Sequence, residues 1–219
     1  MAIDQDNAEP GDVQIAVLAK APVPGAAKTR LIPALGARGA ARLQRQFILR
    51  TLATAAAAQL GPVTLWCAPD TRHRFFRALR RRTAVNCLAQ PAGDLGERMH
   101  TAFAHHCPRG PALLVGTDCP ALQAGHLREA ARRLCEGADA VFQPAEDGGY
   151  VLVGLRRPQP QLFSGMAWGG ADVMNATRSR ALGLRVSELE TLWDVDRPAD
   201  LARLQALAPW CTPSGSGNA

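Results

Sequence analysis

A chain of 219 residues with 47% hydrophobic side chains is long enough to build one full-cored domain, and its composition is that of an ordinary globular protein. Its formal charge of +6 suits attraction of an anionic small molecule. Few aromatics interleave with the arginines, which argues against nucleic acid, and no run of about 18 apolar residues is present to span a membrane. The six cysteines form no CxxC pair, and their spacing from the five histidines matches no zinc-ligand pattern, which argues against a zinc site or a disulfide framework as the organising principle. Reduced thiols, together with a polar, acidic opening at 1–12 that has no apolar core, predict a soluble cytoplasmic protein.

In chain order, residues 1–12 read as a disordered tail, 13–210 as one domain and 211–219 as a second disordered tail. Within the domain, apolar runs at 14–19, 63–67, 85–89, 112–116 and 138–143 predict strands, and 151–155 offers a further one. Longer patterns with helical spacing fill 39–58, 72–82, 95–107, 124–135, 171–182 and 199–207, while 156–170 looks irregular. Arginines 72, 74, 77, 80, 81 and 82 read as the solvated face of one helix. Strands separated by helices need crossover connections, and the expected product is a three-layer α/β/α domain with a mostly parallel sheet. In such sheets ligands bind beyond the carboxyl ends of the strands, so the residues just after each apolar run carry the chemistry.

The first of these segments holds every lysine of the chain. Lys20 and Lys28 lie in AKAPVPGAAKTRL (19–31), and Arg30 follows them, whereas all other basic side chains are arginine. A turn, backbone amides and several cations directly after a strand are what a loop around a polyphosphate needs. Ala27 and Pro22 stand where a Walker A loop would have glycine, and GxGxxG is absent, so neither a P-loop nor a dinucleotide-binding fingerprint is present.

The second segment, LLVGTDCP (113–120), ends a strand with the single carboxylate of Asp118. Such a group can hold Mg²⁺ or Mn²⁺ against a diphosphate, or cap the following helix. In QPAEDGGY (143–150), Glu146 and Asp147 could orient an acceptor or act as base. Gly148 and Gly149 permit close approach to a ligand, and a hairpin turn is the plainer reading of the pair. In LWDVDRPADL (192–201), Asp194 and Asp196 fall on one side of an extended chain, where a cation would relieve their repulsion; Pro198 marks a helix start.

With GDLGERM (93–99), GTDCP (116–120), DGGY (147–150) and DVD (194–196), the basic loop resembles the GT-A-fold transferases described as rSAM/selenodomain-associated transferase 1, also labelled arsenosugar-biosynthesis-type glycosyltransferases. These are similar in turn to the guanylyltransferases of molybdenum-cofactor and deazaflavin-cofactor biosynthesis. The resemblance runs from about residue 14 to 207. It implies a nucleotide-diphospho-sugar transferase fold, a nucleotide sugar or NTP as donor, a small-molecule acceptor and Mg²⁺ or Mn²⁺, with neither nucleic acid nor membrane as partner.

Carried onto this sequence, the resemblance assigns Lys20, Lys28 and Arg30 to donor phosphates and Gly93, Asp94, Glu97 and Arg98 to base and ribose. It makes Asp118 and Asp196 metal ligands and places Glu146, Gly148, Gly149, Tyr150 and Trp168 at the acceptor. Lys28, Asp118 and Asp147 are then expected to carry catalysis. Glycosyl transfer leads as what the resemblance implies, but Thr117-Asp118-Cys119 has one acid where glycosyltransferases usually show Asp-x-Asp, a departure that fits the alternative, nucleotidyl transfer with release of pyrophosphate. A binding module without turnover is the third reading, which acids at both metal positions disfavour.

Overall fold

A computed structural model describes residues 12–207, so both expected tails fall essentially outside the described residues. Seven strands form one sheet in the order β3-β2-β1-β4-β6-β5-β7. They are β1 (Gln14–Lys20), β2 (Val63–Ala68), β3 (Asn86–Ala89), β4 (Ala112–Val115), β5 (Ala140–Pro144), β6 (Tyr150–Leu155) and β7 (Val186–Glu188). The helices are α1 (Ile32–Ala58), α2 (Arg74–Arg82), α3 (Leu95–His106), α4 (Ala124–Cys135), α5 (Val173–Arg180) and α6 (Asp200–Ala206).

The strands read as nearly continuous apolar runs because both faces of the sheet are covered. Ile15, Val17, Leu113 and Val115 point into one buried layer with Ile48 of α1 and Leu127 of α4. Ala16, Ala112 and Leu114 point into the opposite layer, with Met99 and Phe103 of α3 and Phe163. A third cluster, with Leu31, Phe47, Trp193 and Val195, closes the end at which the basic loop emerges. On α2 the buried side chains are Phe75, Phe76 and Leu79, and its arginines are exposed, as a solvated face requires. Among the described residues no helix is long and apolar enough to cross a membrane.

Two features depart from the sequence reading. Helix α1 begins at Ile32 and not at 39, because Gly36 (φ 65°, ψ 163°) breaks it into two pieces that the periodicity cannot join. Strand β7 escapes detection because it is only 3 residues long and half exposed.

The sheet is parallel except at β6, which runs antiparallel to both β4 and β5. This reversal positions the site. Because Val115 pairs with Leu152, the start of β6 lies beside the end of β4, and Gly116 N donates to Val151 O at 3.3 Å. The acidic loop 145–149 is thereby delivered to the edge where Asp118 emerges. A bridge between Ala145 and Leu192 brings the 193–196 strap to the same place, and Val195 N donates to Asp118 O at 3.0 Å.

Candidate functional site

After β1 the chain turns at Gly25 (φ 81°), folds back through Ala26 and Ala27 onto Val23 O, and places Lys28 in the left-handed region (φ 48°). A residue with a Cβ is rarely held there without support. Here the support is an ion pair whose ammonium is buried: Lys28 Nζ lies 2.7 Å from Asp118 Oδ2 and donates to Val195 O at 2.5 Å. The Phe47 ring flanks the ammonium at 5.7 Å. Asp118 stays half exposed, and its Oδ1 accepts from Thr117 Oγ1 at 3.1 Å.

Gln44, buried in α1, ties this corner together by donating to both Lys20 O and Thr117 Oγ1 at 3.3 Å. Gln90 does the same on the other side, donating to Trp66 O at 2.8 Å and Ala19 O at 3.3 Å. Neither amide was singled out from the sequence as a site residue. The signal for Gln44 was a polar side chain among the buried positions 40, 41, 43, 47 and 48 of an otherwise apolar helix face.

A cleft of about 930 Å³ opens beyond the strand ends, and Lys20, Lys28, Arg30, Arg98, Asp118 and Asp196 all line it. Arg30 pairs with Asp196, so the basic loop and the 194–196 strap close on each other. The strap is held by Asp200, whose carboxylate accepts from Asp196 N at 2.9 Å and Arg197 N at 2.7 Å.

Beside the cleft, and sharing Gly116, Asp118 and Tyr150 with it, lies a cavity of about 210 Å³. Asp147, Asp194, Gly149 and Trp168 complete its wall. Tyr150 and Trp168 meet edge to face, with centroids 6.5 Å apart. Burial, followed by the negative charges of Asp147 and Asp118, pushes Asp194 up to about 6, against the pull of Lys28. Burial also pushes the Tyr150 phenol well above its ordinary range.

The expected site residues therefore divide. Lys20, Lys28, Arg30, Arg98, Asp118 and Asp196 share the larger cleft, while Asp118, Asp147, Gly149, Tyr150 and Trp168 share the smaller cavity. Asp94 and Glu97 instead make a reciprocal cap of α3, at 2.9 and 2.8 Å, and Gly93 O accepts from Arg98 Nε at 3.1 Å. Gly148 lines neither cavity: a Cβ there would stand 1.9 Å from Ala171 O, so its lack of a side chain lets the acidic loop dock on the segment before α5. Glu146 turns away altogether, to Arg203 Nη1 at 2.7 and 2.9 Å. Asp194, seen in the sequence only as half of an acidic pair, faces Asp118 and Asp147, whereas Asp196 faces Arg30.

Residues 51–170 match the family model described as "uncharacterized protein conserved in bacteria (DUF2064)". The chain belongs to that family. Among solved structures, a protein of Desulfovibrio desulfuricans G20 that is provisionally named a nucleotide-diphospho-sugar transferase shares 30% identity and superposes with a TM-score of 0.80, over 90% of this chain and 89% of that one. The manganese complex of Rv0371c from Mycobacterium tuberculosis H37Rv matches at 18% identity and TM-score 0.55, over 90% of this chain and 99% of that one. The 4-diphosphocytidyl-2C-methyl-D-erythritol synthase of Anaerococcus prevotii DSM 20548 matches at 11% identity and TM-score 0.60, over 90% and 96%. No curated protein sequence matches the chain. The fold is that of the nucleotide-diphospho-sugar transferases, with a mostly parallel seven-stranded sheet between helical layers.

Proposed function

We propose that the chain is a soluble cytoplasmic transferase of the rSAM/selenodomain-associated transferase 1 kind, moving a glycosyl group from a nucleotide sugar to a small-molecule hydroxyl. The observation that carries this reading is the pairing of two unlike cavities at Asp118. One is a long cleft lined by four cations, suited to a nucleoside diphosphate, and the other is a small acidic and aromatic cavity suited to an acceptor.

In this reading Lys28 presents a fixed positive charge at the junction, where charge develops on the departing diphosphate. Lys20, Arg30 and Arg98 bind the donor along the cleft. Preorganised charge of this kind needs no reorganisation during reaction, and most of the rate gain then comes from positioning and electrostatics. Asp147, exposed at the mouth of the acceptor cavity, accepts the hydroxyl proton.

Asp118 and Asp194 suit a divalent cation, since both carboxylates lie near a third at Asp147 and Lys28 offsets only part of the resulting repulsion at Asp194. Asp196, the second ligand that the resemblance implies, pairs with Arg30 across the cleft. Among the described residues no three His, Cys, Asp or Glu side chains converge to enclose a metal, which fits an ion completed by donor phosphates and water. Bound Mg²⁺ or Mn²⁺, the latter found with Rv0371c, would neutralise charge on the donor diphosphate.

The single acid of Thr117-Asp118-Cys119 favours a second reading, nucleotidyl transfer from an NTP. The test is to incubate the protein with nucleotide sugars and with NTPs, each with Mg²⁺ or Mn²⁺, and to identify the leaving product. Released nucleoside diphosphate supports glycosyl transfer, released pyrophosphate supports the second reading, and neither product from any donor contradicts both.

A further inference from the structure

We infer that the acceptor held in the smaller cavity is an uncharged hydroxyl compound, so that transfer ends on a neutral oxygen and not on a phosphate. The inference rests on the transferase reading above and concerns its acceptor alone.

The two cavities differ in sign. Among the described residues the larger cleft is lined by Lys20, Lys28, Arg30 and Arg98, whereas no Lys, Arg or His lines the smaller cavity. Its charged groups are Asp118, Asp147 and Asp194. Two cations lie near the smaller cavity without lining it. Lys28 is tied to Asp118 and to Val195 O on the cleft side. Arg180, whose charge reaches Tyr150, donates through Nη2 to Gly165 O at 3.0 Å; its Nη1 is buried with no partner in the protein, and the residue is not part of the cavity wall.

A phosphorylated acceptor would therefore set a dianion among three carboxylates of which only Asp118 is paired with a cation, and none of the wall residues could balance it, so like charges would be juxtaposed. A divalent cation at Asp118 would not reverse this, because the donor diphosphate matches its charge. An uncharged hydroxyl compound has no such conflict. Its hydroxyls donate to the carboxylates. The Tyr150 and Trp168 rings offer apolar faces to its carbon skeleton. At 210 Å³ the cavity falls below the ~300–1,000 Å³ usual for drug-sized ligands, which restricts the acceptor to a small molecule.

The step balances without a further reactant. The acceptor oxygen bonds to the anomeric carbon as the bond from that carbon to the diphosphate oxygen breaks. The nucleoside diphosphate departs with the electron pair, the hydroxyl proton passes to Asp147, and the products are a glycoside and a nucleoside diphosphate.

The test compares matched acceptors, glucose against glucose 1-phosphate and glycerol against glycerol 3-phosphate, with nucleotide sugars and NTPs as donors and Mn²⁺ present. Transfer onto each acceptor is measured together with hydrolysis of the donor when no acceptor is added. The neutral member of a pair should be used at least about tenfold better than its phosphate. A phosphorylated member used equally well or better, or pyrophosphate released as an NTP reacts with glucose 1-phosphate, would overturn the inference while leaving a transferase in place. Absence of donor hydrolysis and of transfer for every donor would instead strike the transferase reading on which the inference rests.

Discussion

Lys28 Nζ sits 2.7 Å from Asp118 Oδ2 with its side chain only 5% exposed, while Asp118 remains 44% exposed. The asymmetry assigns different roles to the two partners. The ammonium is fixed by the fold and cannot swing to follow a phosphate, so it acts as a stationary charge. The carboxylate keeps one face open to both cavities. Lys20, the other lysine of the loop, is exposed and is not fixed in this way.

Lys28→Met should weaken nucleoside diphosphate binding at least about tenfold, the value of one lost charge-assisted contact, and leave nucleoside binding nearly unchanged. Because Asp118 is half exposed, the cost to stability should stay near the low end for a broken ion pair, about 1–2 kcal/mol. Calorimetric titration and thermal melts of the same variant check both. Equal losses for nucleoside and diphosphate would make Lys28 purely structural.

Asp194→Asn should stabilise the protein at pH 7 while lowering turnover. The folded carboxyl, held near 6, lies above its ordinary 3.8, so the native state binds the extra proton and loses stability as pH rises through that window. Removing the charge should recover about 1–2 kcal/mol at pH 7 after allowance for partial exposure. Urea unfolding at pH 5 and pH 7 tests the sign, since the advantage of the variant should shrink at the lower pH. Saturating Mn²⁺ should shrink it as well.

His106 carries the opposite pH dependence. Burial, then the neighbouring His105 and Arg109, lowers it from 6.5 to about 4, and its Nε2 accepts from Trp66 Nε1 at 3.1 Å. The native state therefore keeps it neutral, and stability is lost as pH falls through 6.5 towards 4. Wild type should lose about 2 kcal/mol more than His106→Gln between pH 7 and pH 5. Matching slopes for the two proteins would show that His106 titrates normally.

Glu146→Gln should leave transfer within about threefold of wild type, as expected for a surface change away from the reacting groups. Its carboxylate serves Arg203, whose guanidinium stacks on Trp193 at 4.4 Å from the ring centroid. A hundredfold loss of turnover in this variant would return Glu146 to the acceptor.

Much of the site was legible because strand ends and ligand loops coincide in α/β sheets. The apolar runs before Lys20 and Asp118 located both sides of the cleft. What could not be read was the partner each acid takes across the fold. Glu146 and Asp147 are adjacent in sequence, yet one meets Arg203 and the other the smaller cavity. Asp194 and Asp196 are equivalent on an extended chain until Arg30 claims one of them. Nor does periodicity reveal that β6 runs backwards, which is the feature that sets Tyr150 beside Gly116. The resemblance assigns Gly93, Asp94 and Glu97 to the donor, and the sequence does not show that Asp94 and Glu97 also cap α3 reciprocally.

The most direct measurement is the melting temperature of the purified protein with nucleotide sugars and with nucleoside triphosphates, each with and without Mn²⁺, in wild type and Asp118→Asn. A ligand that binds only the native state must raise its melting point. The account predicts stabilisation by a nucleotide sugar that needs Mn²⁺ in wild type and disappears in the variant. Stabilisation equal in both proteins, or none by any nucleotide, would contradict it.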